Sequence, residues 1–149
     1  MEYIDREKAQ RVWQRVQSHQ PTVTQPHGLS LSPEGLVLEE MTDSLLFAQL
    51  AQQVKDGTAL RTLSQQAAHR ASILRGICVL SGLTAPGQIP KPSRQDNIPA
   101  ALRRLMGRLL RRTEEYRKLC DHGEFGELYQ GLVKLTRESA LLLAQVIGK

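Results

Sequence analysis

Apolar residues recur every three or four positions over most of the chain, the period of helices that bury one face. Residues 5–18 carry Ala9, Val12, Trp13 and Val16 at this spacing, a short stripe suited to an arm docked on a larger body. Pro21, Pro26 and Pro33 then interrupt the pattern, so residues 20–32 read as a linker. Ser32-Pro33-Glu34 is a helix start, with Ser as N-cap and Pro at the first helical position. That helix is predicted to run to about Lys55 and stop at Asp56-Gly57. A second starts with Thr58 as its cap and continues through Leu63, Ile73, Ile77 and Leu80 to Ser81-Gly82, where Gly82 stands in the C-terminal capping position. After a proline-interrupted stretch, Asp96 or Asn97 caps a third helix with Pro99 in its first turn. Its stripe is Leu102, Leu105, Leu109, Tyr116 and Leu119. The last helix spans roughly residues 124–147, with Leu128, Leu132, Leu135, Leu142 and Val146 on one face.

Connection lengths constrain how these helices meet. Within each of the two pairs of long helices the connection is only a few residues, which makes each pair an antiparallel hairpin. Residues 83–97, with Pro86, Pro90 and Pro92, are different. The second helix is roughly 35 Å long at the usual rise, and fifteen extended residues reach roughly 50 Å, enough to return along its whole length. Two hairpins joined by one long crossover is the ferritin-like form of a four-helix bundle. The expected fold is therefore all-α, an N-terminal helical arm and linker over 1–32 followed by a ferritin-like four-helix bundle over 33–149. A faint internal echo fits two equivalent halves. Phe47-x-x-Leu50-Ala51 before Asp56-Gly57 matches Tyr116-x-x-Leu119-Cys120 before His122-Gly123, although aromatic-x-x-Leu is also ordinary core spacing.

Composition narrows the function classes. The 149 residues are one domain's worth, and 4% aromatics with abundant Leu, Gln, Arg and Glu disfavour a β-sandwich. Two cysteines, Cys78 and Cys120, exclude both a disulfide-stapled scaffold and a four-thiolate metal site. The charged start Met1-Glu2-Tyr3-Ile4-Asp5-Arg6 predicts no signal peptide, and no run approaches a membrane span, so a cytoplasmic location is expected. No G-x-S-x-G, P-loop or H-E-x-x-H is present. His19, His27 and His122 fall in linkers or turns.

The remaining chemistry lies on the helices. Bundles of the ferritin-like kind hold two irons with a single Glu from one helix of each hairpin and Glu-x-x-His from the other. Glu40 stands two turns before Phe47 on the stripe of Val37, Ser44 and Ala51; Gln66-Ala67-Ala68-His69 has the Glu-x-x-His spacing with Gln for Glu. His69-Arg70-Ala71-Ser72-Ile73-Leu74-Arg75-Gly76-Ile77, the Glu40-to-Phe47 spacing and the late Glu138 resemble the rubrerythrin-related, ferritin-like di-iron proteins over about residues 34–147. The resemblance implies a metal site on Glu40, His69 and Glu138, with Gln66 as a neutral substitute. Departures are as clear. Leu109 stands where the pattern calls for a carboxylate, and Glu138-Ser139-Ala140-Leu141 puts Leu in place of His.

Charge then decides the occupancy. Two divalent irons need four carboxylates, whereas Glu40 and Glu138 offer two, so a di-iron centre is disfavoured in a low-dielectric interior. A single iron or manganese on Glu40, His69 and Glu138 is the metal-bound option. The metal-free option, which the charge count favours, is an internal pair of Arg112 with Glu40 or Glu138 and a hydrogen-bonded core His69.

The expected function is thus a degraded, non-catalytic relative of the di-iron bundles holding at most one divalent metal. The alternative is an iron-dependent oxidase or peroxidase whose ligands a second subunit completes. Twenty Lys and Arg against fifteen Asp and Glu leave a net +5, and Arg103, Arg104, Arg108, Arg111, Arg112, Arg117 and Lys118 crowd the third helix. With no interleaved aromatics and no reading motif, that run is expected to be a solvated face and nucleic acid is not the expected partner, a basic helical protein that binds nucleic acid or a protein partner being the further alternative. Trp13 and Val16 can pack on their own bundle or on a neighbouring chain, which leaves a homodimer open.

Overall fold

The computed structural model describes residues 32–121 and 123–149. The helical arm at 5–18, Trp13, Val16, His19, His27 and His122 lie outside them. The described residues form four helices and no strand: α1 (Pro33–Gln53), α2 (Thr58–Leu80), α3 (Ile98–Cys120) and α4 (Gly126–Ile147). None is long and apolar enough to cross a membrane.

The local signals act largely as expected. Ser32 Oγ accepts from the Gly35 amide at 3.1 Å, and Asn97 Oδ1 from Ala100 at 3.0 Å, each satisfying one orphan donor of a helix start. At the end of α2, Gly82 has a φ of +72°. Its amide donates to Val79 O at 3.1 Å and that of Leu83 to Cys78 O at 2.8 Å, the paired bonds of a Schellman motif. Thr58 is not a cap. Gly57 occupies that position without a side-chain bond, and Asp56 Oδ1 accepts from the Thr58 amide at 3.1 Å. The reason is steric, since a Cβ at Gly57 would stand 2.3 Å from the Ala51 carbonyl oxygen.

Residue pairs give the helix directions. Ser44 Oγ donates to Ser64 O at 2.9 Å and Ser64 Oγ returns a bond to Ser44 O at 2.8 Å, while Glu40 meets Arg70 further along, so α1 and α2 are antiparallel. The crossover follows this hairpin back. Arg75 Nη2 holds the Pro86 carbonyl at 2.7 Å near one end. At the other, Gln53 Nε2 donates to Gln95 O at 2.8 Å and the Gln95 amide to Gln53 Oε1 at 2.9 Å. Helix α3 therefore begins beside the end of α1 and runs antiparallel to it and parallel to α2. Helix α4 turns back against α3 and packs on α2.

Phe47, Leu50, Leu60, Leu63, Leu102, Leu105, Leu109 and Leu143 from all four helices form one apolar cluster. The faces differ from expectation in two helices. In α4 the buried set is Tyr129, Leu132, Val133, Thr136, Ser139 and Leu143; Leu128 is exposed, and Leu135, Leu142 and Val146 are half-buried. In α2 Leu80 is exposed, Ile73 is half-buried, and the buried stripe runs Leu63, Ala67, Arg70, Leu74, Ile77. Because α4 carries apolar residues at Leu141, Leu142 and Leu143, spacing alone permits a face one residue away, about 100° round the helix.

Candidate functional site: a buried arginine–carboxylate network

Each helix sends one or more polar side chains into the interior. Glu40 and Asp43 of α1, Arg70 of α2, Arg112 and Tyr116 of α3, and Ser139 of α4 are all fully buried. Every one lies on its helix's three-and-four stripe, between apolar residues such as Phe47, Leu74, Leu109 and Leu143.

Glu40 is the centre. Its Oε2 accepts from Arg70 Nε at 2.9 Å and from the Tyr116 hydroxyl at 2.6 Å, and Arg112 Nε stands 3.5 Å away. Arg70 Nη1 also donates to Ser139 Oγ at 2.6 Å, and that hydroxyl donates on to Gln66 Oε1 at 2.7 Å, tying α2 to α4. On the other side Arg112 pairs with Asp43 through Nη2 and with Glu39 Oε1 at 3.1 Å. Arg108 adds a 2.7 Å bond to Asp43, and Arg111 a 3.0 Å bond to Glu39 at the surface. The two fully buried cations, Arg70 and Arg112, thus balance the two fully buried anions, Glu40 and Asp43. Glu40 Oε1, Arg70 Nη2 and Arg112 Nε have no hydrogen-bond partner among the described residues.

Burial alone would push the Glu40 carboxyl upward. The charges of Arg112 and Arg70, with the bonds from Arg70 and Tyr116, outweigh it and hold the group below its ordinary value. Arg112 shows the converse: burial would lower it, but Glu40 and Asp43 raise it instead. Burial and the Glu40 charge raise the Tyr116 phenol well above its usual range. Tyr129, whose ring centre is 6.3 Å from that of Tyr116, is pushed up to about 12, mainly by burial. Both phenols therefore stay neutral and act as donors or packing groups.

A depressed Glu40 has a defined consequence for stability. Its contribution is complete above the unfolded carboxyl value near 4.5 and disappears as pH falls through the lower folded value. The melting temperature is expected to hold level down to that pH and then drop. Glu40→Gln, melted over the same series, should show a shallower acid limb; coincident limbs would mean that Glu40 is not the acid-sensitive group.

The expected ligands are not gathered in one place. Gln66, His69 and Glu138 line one open groove between α2 and α4, together with Thr62, Gln65 and Leu135. His69 and Glu138 are exposed, and Gln66 is half-buried on Ser139. Glu40 does not line that groove. The expectation of a core His69, and of Glu138 inside the bundle, is corrected by the one-residue rotation that points Arg70 and Ser139 inward instead. Among the described residues no three of His, Cys, Asp and Glu are grouped so as to hold a metal ion.

Nor does the donor set fit two irons. Of the two inward carboxylates, Glu40 is engaged by two guanidinium groups and a phenol and Asp43 by Arg108 and Arg112, Leu109 is buried at the other helix's carboxylate position, and Leu141 is exposed where a histidine would stand. The expected Arg112–Glu40 pair is present, and Arg70, Asp43 and Ser139 join it without any motif that marks them in the sequence. Their place on the apolar stripes, Leu63–Ala67–Arg70–Leu74 and Leu132–Thr136–Ser139–Leu143, was the signal available. Comparison with protein-family models, curated proteins and solved structures finds no match for the chain.

Proposed function

We propose that the chain is a non-catalytic, rubrerythrin-related ferritin-like bundle in which an arginine–carboxylate network does the structural work of the di-iron centre. The observation that carries this reading is the pairing of Arg70 and Arg112, both wholly buried, with one oxygen, Oε2, of the buried Glu40. Arg70 and Arg112 at Glu40, and Arg108 and Arg112 at Asp43, repel a divalent cation from both fully buried carboxylates. The parallel course of α2 and α3, with the crossover laid along the first hairpin, supports the ferritin-like assignment. Such a bundle acts as a scaffold or partner-binding body.

Metal analysis of protein purified without chelator, followed by Fe(II) and Mn(II) titration, tests the proposal. Substoichiometric metal and an unchanged melting temperature are expected. Two irons per chain, lost on Glu40→Ala, would overturn it. The open groove favours a second reading, in which one divalent ion is held at the surface by His69 and Glu138 and completed by a second copy of the chain. One ion per chain or fewer, dimerisation on metal addition, and loss of both on His69→Ala would identify that case.

A further inference from the structure

The basic residues of this protein are not spent where the sequence crowds them. Arg108, Arg111 and Arg112 of α3 turn to Asp43 and Glu39 of α1, and Arg117 and Lys118 pair with Glu114 and Glu115 one turn back. Six of the cations without a salt bridge among the described residues gather toward one end of the four helices from three separate stretches. Lys55 and Arg61 flank the α1–α2 turn, Lys91 and Arg94 lie on the returning crossover, and Arg103 and Arg104 occupy the first turns of α3; all six are exposed.

Their proximity follows from contacts already described. Gln95 bonds Gln53 at the end of α1, and Arg104 Nη2 donates to Gln95 Oε1 at 3.3 Å. Lys149 and then Arg61 are close enough to Asp56 to help lower its carboxyl, after the stronger effect of the Thr58 bonds. None of the six makes a salt bridge with a described residue. With the exposed Lys149 beside Asp56, and against the exposed Asp56 and Asp96, the side chains of this end sum to +5, seven cations less two anions.

We propose that this end binds the phosphate backbone of duplex nucleic acid without reading its sequence. Helices pack 8–10 Å apart, so an end two helices wide spans roughly 20 Å. A duplex presents one charge every 1.7 Å, or roughly a dozen over that span. A high linear charge density is what matches several exposed Lys and Arg heads gathered at one end. The two rival polyanions fit less well. Amphipathic binding to an anionic bilayer inserts several large apolar side chains, yet Val54, Ile98 and Val146 at this end pack against the core, which leaves the exposed Ile147 as the one it would insert. Binding of single strands uses exposed aromatic platforms, whereas of the described aromatics Phe47, Tyr116 and Tyr129 are buried and Phe125 is half-buried at the start of α4.

The test is fluorescence anisotropy of the full chain with a short labelled duplex of arbitrary sequence, titrated at several salt concentrations. If all six cations meet phosphates, the slope of log K against log salt is about −5. The Lys91→Gln/Arg94→Gln/Arg103→Gln variant should flatten it to about −3 and weaken binding at least tenfold at low salt. Lys134→Gln/Arg137→Gln, which removes two exposed charges of α4, should leave binding within twofold. Thermal melts establish that each variant is folded. Absence of duplex binding at about 50 mM salt, or equal binding by the triple variant, overturns the proposal. So does preferential binding to phosphatidylserine vesicles or to polyglutamate over the duplex.

Discussion

Glu40→Gln is expected to melt about 10–20 °C below the parent protein. The substitution keeps the shape and removes the charge, so Arg70 and Arg112 lose their shared anion while both stay fully buried. Breaking a buried pair by removing one partner costs about 3–5 kcal/mol, because the charge left behind is uncompensated. For a body of this size each kcal/mol moves the midpoint by about 3–4 °C. Tyr116 adds to the loss, since its hydroxyl gives Glu40 a 2.6 Å bond and the neutral amide accepts it less strongly. The midpoint is read by circular dichroism; a fall of about 3 °C or less would mean that the three groups are not mutually dependent. Simultaneous replacement of Glu40, Arg70 and Arg112 by apolar residues of similar volume is the informative companion. Removing a whole buried ionic set is often neutral or stabilising, so the triple variant should recover much of what the single one loses.

Arg112→Ala carries the other large effect. It removes the only described side chain that reaches Glu39, Glu40 and Asp43 together, and it empties the volume of a fully buried arginine. A loss of about 3–5 kcal/mol is expected. Arg111→Ala, one position away, removes a half-exposed partner of Glu39 and should cost about 1 kcal/mol or less. Urea melts of the pair provide the comparison, and similar midpoints would show that burial of Arg112 contributes nothing special. A double-mutant cycle of Arg112 with Glu40 should give a coupling of about 1–3 kcal/mol, the range for residues in one ion-pair network.

The helices, their order and their starts were legible because those signals are local. Ser32-Pro33 and Asn97 with Pro99 cap by their own side chains, and Gly82 ends α2 by its own φ. The length of the crossover likewise announced a return along the first hairpin. The Arg112–Glu40 pair could be anticipated because Arg112 falls three residues after Leu109, at the margin of a strong leucine stripe. Arg70 and Ser139 escaped notice because each sits beside a more chemically suggestive neighbour, His69 or Glu138. A one-residue change of face separates inside from outside in both cases. Thr58 looked like a cap because hydroxyls at helix starts so often are, but close approach of the chain to Ala51 reserved that place for Gly57.

By its own residues the sequence determined helices over the described residues and a long crossover between two hairpins. Tertiary structure alone decided which member of each neighbouring pair faces inward. It also set how the arginines divide between the interior and the surface. Helix periodicity specifies spacing along a face but leaves open the rotation of one face against another. That rotation is chosen by the packing of four helices at once, where an arginine flanked by leucines is buried only if a carboxylate from another helix arrives to meet it.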